Sequence, residues 1–355
     1  MTLHIYRPPF SMRSGCDILG QKTASMFASN GINCKVSDLW PEFLAAIMHA
    51  GIIPFGVRFF SKAIAPIFAM NSMKKIQKND LFWLLGSAVP LQETPYFELK
   101  FKNLGAKYIY HIMDDWFEFD YLRKATILRA ELSDLIVVPT PTLFQKVKTL
   151  FPSKKIVILE EPIDVSRVYP IADNAEKTDR IPIIVWTGNT GNINMLQPIN
   201  NILEKLSKRI KFRLRVISKL QPTMSFECDW EWRKYDFLNE SQLLAGAAAG
   251  LTPIQDTPHD RAKGVYKVKT YLAAGIAPVG PPIGYLNHLV ESNQNGFLCK
   301  TEDEWIDCLY LLLSNYDERR RISKYARECA VGKYSHSAVS SQWVNAIKAN
   351  FPLAP

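Results

Sequence analysis

The sequence predicts an α/β protein made of two Rossmann-like domains with parallel sheets. Three observations carry that expectation. Apolar runs of strand length alternate with helical stretches along both halves of the chain, which is the pattern of parallel α/β domains. Glycine-punctuated turns follow strand-like runs just where a helix is to begin, as at Thr187-Gly188-Asn189-Thr190-Gly191. A chain of 355 residues is too long for one ordinary core and suits two, with a polar, turn-rich linker over residues 166–180 between domains at 1–165 and 181–337.

The first domain opens as βαβ: residues 3–7 form a strand, 8–17 a loop, 18–29 a helix and 34–39 a second strand. Further strands are expected at 81–86, 108–113, 135–139 and 155–159, each reached through a helix, as right-handed parallel crossovers require. In the second domain the apolar strand 181–186 leads through its glycine turn to a helix at 193–206 and a strand at 212–217. A helix at 241–248 and a strand at 249–254 follow. Residues 265–274 read as a helix stopped by Gly275, 276–279 as a short buried strand, and 280–284 as a turn into another helix. The stretches 302–313 and 317–333 are amphipathic helices, with Leu309, Leu312 and Leu313 on one face.

Composition narrows the setting. An apolar content of 47% with 12% aromatics describes a globular protein and excludes a disordered one. The six cysteines, at 16, 34, 228, 299, 308 and 329, show neither a CxxC pair nor metal-ligand spacing, so they read as reduced core thiols in a cytosolic protein. The strand-like LHIYR near the N-terminus lacks the basic start and apolar core of a signal peptide, and no apolar run is long enough to span a bilayer. The formal charge of +9 calls for an anionic partner. Nucleic acid is not expected, because no clustered aromatic and basic motif is present. Residues 41–79 offer another partner: apolar runs such as FLAAIMHAGIIPFGV and APIFAM alternate with Arg58, Lys62, Lys74, Lys75 and Lys78 against the single acid Glu42. Such a segment suits an anionic membrane surface; the alternative is a buried helical pair with lysines snorkelling outward.

The richest stretch is KGVYKVKTYLAAGIAPVGPPIGYLNHLVESNQNGFLC, residues 263–299, which sets cations beside two glycine-punctuated crossings of a sheet. Lys263 and Lys267 near a helix N-terminus would reinforce its partial positive charge and hold an anion; a solvated basic first turn is the other reading. Together with VWTGNTGN, LLAGAAAGLTPI and the closing EDEW and KYS, these motifs resemble, over residues 181–343, the C-terminal half of the retaining glycosyltransferases of family 4. The resemblance implies the GT-B architecture, two Rossmann-like domains whose parallel sheets face each other across a cleft. It also implies that the closing helix, 338–355, crosses back to the first domain. The activity implied is transfer of a sugar from a nucleotide-diphosphate sugar to a hydroxyl of a glycan or lipid-linked acceptor, in cell-surface polysaccharide or glycolipid synthesis. A nucleotide-sugar epimerase of the same fold and a catalytically inactive scaffold or membrane-associated partner are the alternatives. The place implied is the cytoplasm, peripheral to the inner membrane face.

Under this resemblance the donor and its phosphates fall to Gly188, Asn189, Arg261, Lys263, Lys267 and Thr270. Two glutamates common in the family are absent, since Ala262 and Thr270 occupy their positions. In the first domain IYHIMDDW puts His111, Asp114 and Asp115 at the end of an apolar strand, where side chains leave the sheet. His111 is the expected active-site residue, with one aspartate facing the ligand and the other capping the next helix. Arg13, Ser14 and Gly15 in the loop 8–17 are candidates on the acceptor side. Neither cofactor nor metal is expected: two adjacent aspartates fall short of a coordination set, and enzymes of this fold use fixed cations and helix dipoles instead.

Overall fold

A computed structural model describes residues 1–7, 18–39, 41, 64–86, 93–171 and 181–351. The chain forms two compact units. One comprises Met1–Pro162, Ala262–Gly264 and Val339–Pro355, the other Ile163–Arg261 and Val265–Ala338.

The first unit holds six parallel strands in the order β2-β1-β3-β4-β5-β6: β1 Leu3–Arg7, β2 Cys34–Asp38, β3 Leu81–Leu85, β4 Lys107–His111, β5 Leu135–Val138 and β6 Ile156–Ile158. The central strands LFWLL and LIVV are apolar at every position because both faces of a parallel sheet are covered. Helices Tyr96–Asn103 and Asp120–Leu132 bring Glu98 and Arg129 together as a buried ion pair, Nε to Oε1 2.9 Å. From Val339 onward the helix His336–Asn350 also belongs to this unit. Its Trp343 ring stacks on Trp83 at 5.2 Å, and the indole N–H donates to the Glu160 carbonyl at 2.8 Å.

The second unit has the order β12-β11-β10-β7-β8-β9, again all parallel: β7 Ile183–Thr187, β8 Arg213–Ser218, β9 Trp230–Lys234, β10 Ala247–Leu251, β11 Ala277–Gly280 and β12 Phe297–Leu298. Alternation along β7 sends Ile184 and Trp186 into one apolar cluster and Val185 into the cluster on the other face. The helix Tyr266–Ala273 packs on the Val185 face through Val268, Tyr271 and Leu272.

Three local differences from the sequence expectation have physical causes. The helix expected at 193–206 is a 3₁₀ segment, Thr190–Ile199, followed by a true α-helix over Asn200–Ser207. Pro198 lies inside the first segment and has no N–H for an i to i−4 bond. The helix and strand expected at 241–248 and 249–254 are the shorter Glu240–Leu244 and Ala247–Leu251, because Gly246 breaks the helix at φ +75°. Strands β9 and β12 have no counterpart in the sequence reading.

The ends of β7 and β10 are tied by one side chain. Tyr271, fully buried, accepts a hydrogen bond from the Thr187 amide at 3.0 Å and donates to the Leu251 carbonyl at 3.2 Å. It fits because residue 250 is glycine: a Cβ there would lie 2.5 Å from the ring. Tyr271→Phe removes the only change of chemistry that matters, the hydroxyl, and leaves both buried backbone groups without it. We expect a loss of about 1–3 kcal/mol, read as a lower urea midpoint with an unchanged m-value.

Candidate active site

In the second unit the turn after β7 is built around an aromatic ring. Trp186 is fully buried, and a Cβ on Gly188 would lie 2.4 Å from two of its ring atoms, so the backbone crosses the indole only because residue 188 has no side chain. The Gly188 amide donates to the Ile217 carbonyl at 3.1 Å, which fixes the turn to β8. Asn189 is exposed, extended at φ −67° and ψ 146°, and starts the segment Thr190–Ile199 without capping it through its side chain. The Lys267 ammonium lies 4.9 Å from the centre of the Trp186 ring. A cation, a glycine turn and the first turn of a helical segment thus meet at the carboxyl end of a parallel sheet, where such sheets bind ligands.

The other donor-side residues named from sequence have surroundings of their own. The exposed Arg261 is engaged by Asp256 through Nε and through Nη2, the latter at 2.8 Å. Lys263 belongs to the first unit with Ala262 and Gly264, and the Ala262 carbonyl accepts from Thr140 Oγ1 at 2.8 Å. Thr270 is buried in the Lys267 helix. Val265, which begins that helix, has φ +49° and ψ 45°, a left-handed conformation that a β-branched residue rarely adopts.

In the first unit His111 closes β4 and is fully buried among aromatic rings, 5.9 Å from Trp83 and 6.3 Å from Trp343 between centroids. Burial pushes its imidazole down to about 3, so the ring is neutral at physiological pH. Its Nε2 lies 3.8 Å from Glu161 Oε1, and Glu161 Oε2 would be 3.0 Å from a Cβ on Gly264. Asp115 is buried and pairs with Lys146 at 2.6 Å, while Lys146 also contacts Glu118. Asp115 stands at the N-cap position of the short 3₁₀ turn Trp116–Glu118, but its side chain makes no cap hydrogen bond there. Asp114 is half-buried. Arg13, Ser14 and Gly15 lie outside the described residues, as do Arg58 and Lys62 of the basic, apolar segment. The described part of that segment includes the helix Ala65–Met73, which buries Ala69 and Met73, exposes Ile67, and is followed by exposed Lys74, Lys75 and Lys78. An open apolar groove of about 400 Å³ runs between Pro66, Ile67, Met70, Tyr96 and Phe97.

Sequence reasoning missed Trp186, Tyr271, Glu161 and Trp343. One signal was available: Lys267 and Tyr271 are four apart on a helix and so share the face that reaches the end of β7. Among the described residues no group of three His, Cys, Asp or Glu could hold a metal ion, and no helix is long and apolar enough to cross a membrane.

No protein-family model matches the chain, and no curated protein sequence matches it. Solved structures do match. Sucrose-phosphate synthase from Thermosynechococcus elongatus superposes with a TM-score of 0.70 at 11% identity, over 99% of both chains. A glycosyltransferase from Rickettsia africae gives 0.65 at 14% identity, again over 99% of both. The fold is GT-B. HepE from Anabaena, solved in complex with UDP, gives 0.60 at 11% identity over 98% of this chain and 100% of its own. The GT-B assignment fits the two six-stranded parallel sheets, one in each unit.

Two outcomes test the local chemistry. Gly188→Ala forces a methyl into the buried Trp186 ring, and we expect about 1–3 kcal/mol of destabilisation, measured by thermal unfolding. For His111 the folded value of about 3 lies below the ordinary 6.5. Between those values the unfolded chain binds a proton that the folded chain does not, so this group's contribution is intact above pH 6.5 and is lost as pH falls. Urea unfolding from pH 7 to pH 4 should show wild type losing about 1.4 kcal/mol more per pH unit below 6.5 than His111→Phe.

Proposed function

We propose that this protein is a glycosyltransferase that takes its sugar from a nucleoside-diphosphate donor bound on the second unit. The observation that carries the reading is the Lys267 ammonium over Trp186, beside the Gly188 turn at the carboxyl end of a GT-B sheet. A fixed cation and the partial positive charge at the start of a helical segment stabilise the negative charge that grows on a departing diphosphate, the main electrostatic demand of such a transfer. HepE solved with UDP and glucose, a GT-B neighbour with a TM-score of 0.60 and 12% identity, makes UDP the first nucleotide to try.

The remaining roles follow from residue chemistry. His111, neutral and fully buried when folded, would not act as a cationic acid. Of the aspartates, Asp114 is the better candidate to meet a sugar, because Asp115 is committed to Lys146. The family 4 resemblance supports transfer with retention at the anomeric carbon, to a hydroxyl of a glycan or lipid-linked acceptor. Exposed Ile67 and Tyr96, with Lys74, Lys75 and Lys78 on the same unit, support an acceptor presented at an anionic membrane surface on the cytoplasmic side.

Calorimetry against UDP, GDP, dTDP, ADP and CMP tests the reading. One diphosphate should bind, and Lys267→Ala should weaken it about 10- to 100-fold with little change in Tm, as expected for loss of one charge-assisted contact. Failure of every nucleotide to bind wild type at millimolar concentration would overturn the assignment.

A further inference from the structure

We infer that Trp186 is the positioning residue of the diphosphate site, its indole face holding the Lys267 ammonium at the carboxyl end of the second sheet; this rests on the reading of Lys267 and the Gly188 turn given above. The first support is topological. Trp186 packs with Ile184 on one face of β7, whereas the helix that carries Lys267 packs with Val185 on the other. For the ammonium to lie 4.9 Å from the Trp186 ring, the lysine chain has to cross the end of the sheet beside the Gly188 turn. The contact therefore fixes where the charge stands relative to the turn amides.

The second support is rigidity. The ring is fully buried and lies so close under Gly188 that a Cβ there would sit 2.4 Å from it, so it has no room to tilt without moving the turn. The cation and the glycine turn are thus referenced to the same rigid plate.

The third support is the choice of side chain. A buried indole N–H usually finds an acceptor. The Trp186 Nε1 has none among the described residues, although it is inaccessible to solvent. For filling the core, phenylalanine or leucine would serve without stranding a donor. What tryptophan adds is the most electron-rich aromatic face, the best platform for a cation. A neutral face also orients the ammonium without adding negative charge to a place that has to accept a diphosphate.

Trp186 then acts on the ligand only through Lys267, and that is measurable as coupling. The probes are UDP and inorganic pyrophosphate, the second carrying the diphosphate without base or sugar. Dissociation constants would be measured for wild type, Trp186→Phe, Trp186→Leu, Lys267→Ala and the double variant Trp186→Leu/Lys267→Ala. We expect Trp186→Phe to stay within about threefold of wild type and Trp186→Leu to bind about 3- to 30-fold more weakly. In the Lys267→Ala background the leucine substitution should cost nothing further, because the group it positions is gone. UDP should also change tryptophan emission in wild type, and Trp186, one of eight tryptophans, should carry part of that change, so the change should shrink in Trp186→Phe, a readout that needs no leucine variant to fold. Binding by wild type together with additive losses in the double variant, or an emission change in Trp186→Phe as large as that of wild type, overturns the role of Trp186 alone. Absence of binding by wild type of pyrophosphate, UDP and every other nucleotide named above overturns the underlying site as well.

Discussion

Backbone polar groups at the end of a buried strand must find partners, and in the second unit that requirement organises the candidate site. A parallel sheet pairs its strands until they end together, and the next amide and carbonyl then emerge with no neighbour to meet them. Tyr271 supplies both partners at once, accepting from Thr187 and donating to Leu251. Because the same helix carries Lys267 one turn earlier, satisfying the strand ends also sets the cation's origin. Gly250 and Gly188 are the corollaries, each vacated where an aromatic ring has to pass.

The first unit solves a different problem, that of polar side chains inside an aromatic core. Glu98 and Arg129 neutralise each other beneath the sheet. His111 instead stays neutral, since exclusion of water among Trp83 and Trp343 disfavours its charged form. Asp115 is compensated by Lys146. The segment read from sequence as one chemical cluster thus divides into a neutral ring, an ion-paired carboxylate and a half-buried Asp114.

Most strands were legible because burial on both faces makes them continuous apolar runs, as in LFWLL and LIVV. The two that were not are the edges of the second sheet. β9, WEWRK, carries charge on a half-exposed edge, and β12 has two residues, too few for any period. Membership of Ala262–Gly264 in the first unit could not be read, because it depends on contacts such as that with Thr140, distant in sequence. At the candidate site the turn at Gly188 and the cation at Lys267 follow from local pattern. The roles of Trp186 and Tyr271 do not, since an apolar strand residue and an apolar helix residue look the same whether they fill space or hold a neighbour in place.

The Trp343 contacts have a consequence for biosynthesis. Strands β1–β6 leave the ribosome long before the helix His336–Asn350 exists, yet Trp343 covers Trp83 and His111 and caps the chain after β6 through Glu160. The first unit therefore cannot close its core until translation has passed that helix, whereas the second unit has all its residues by Ala338. Completion runs opposite to chain order. Through that interval an aromatic sheet face waits uncovered, the period in which a nascent chain of this kind is most exposed to aggregation.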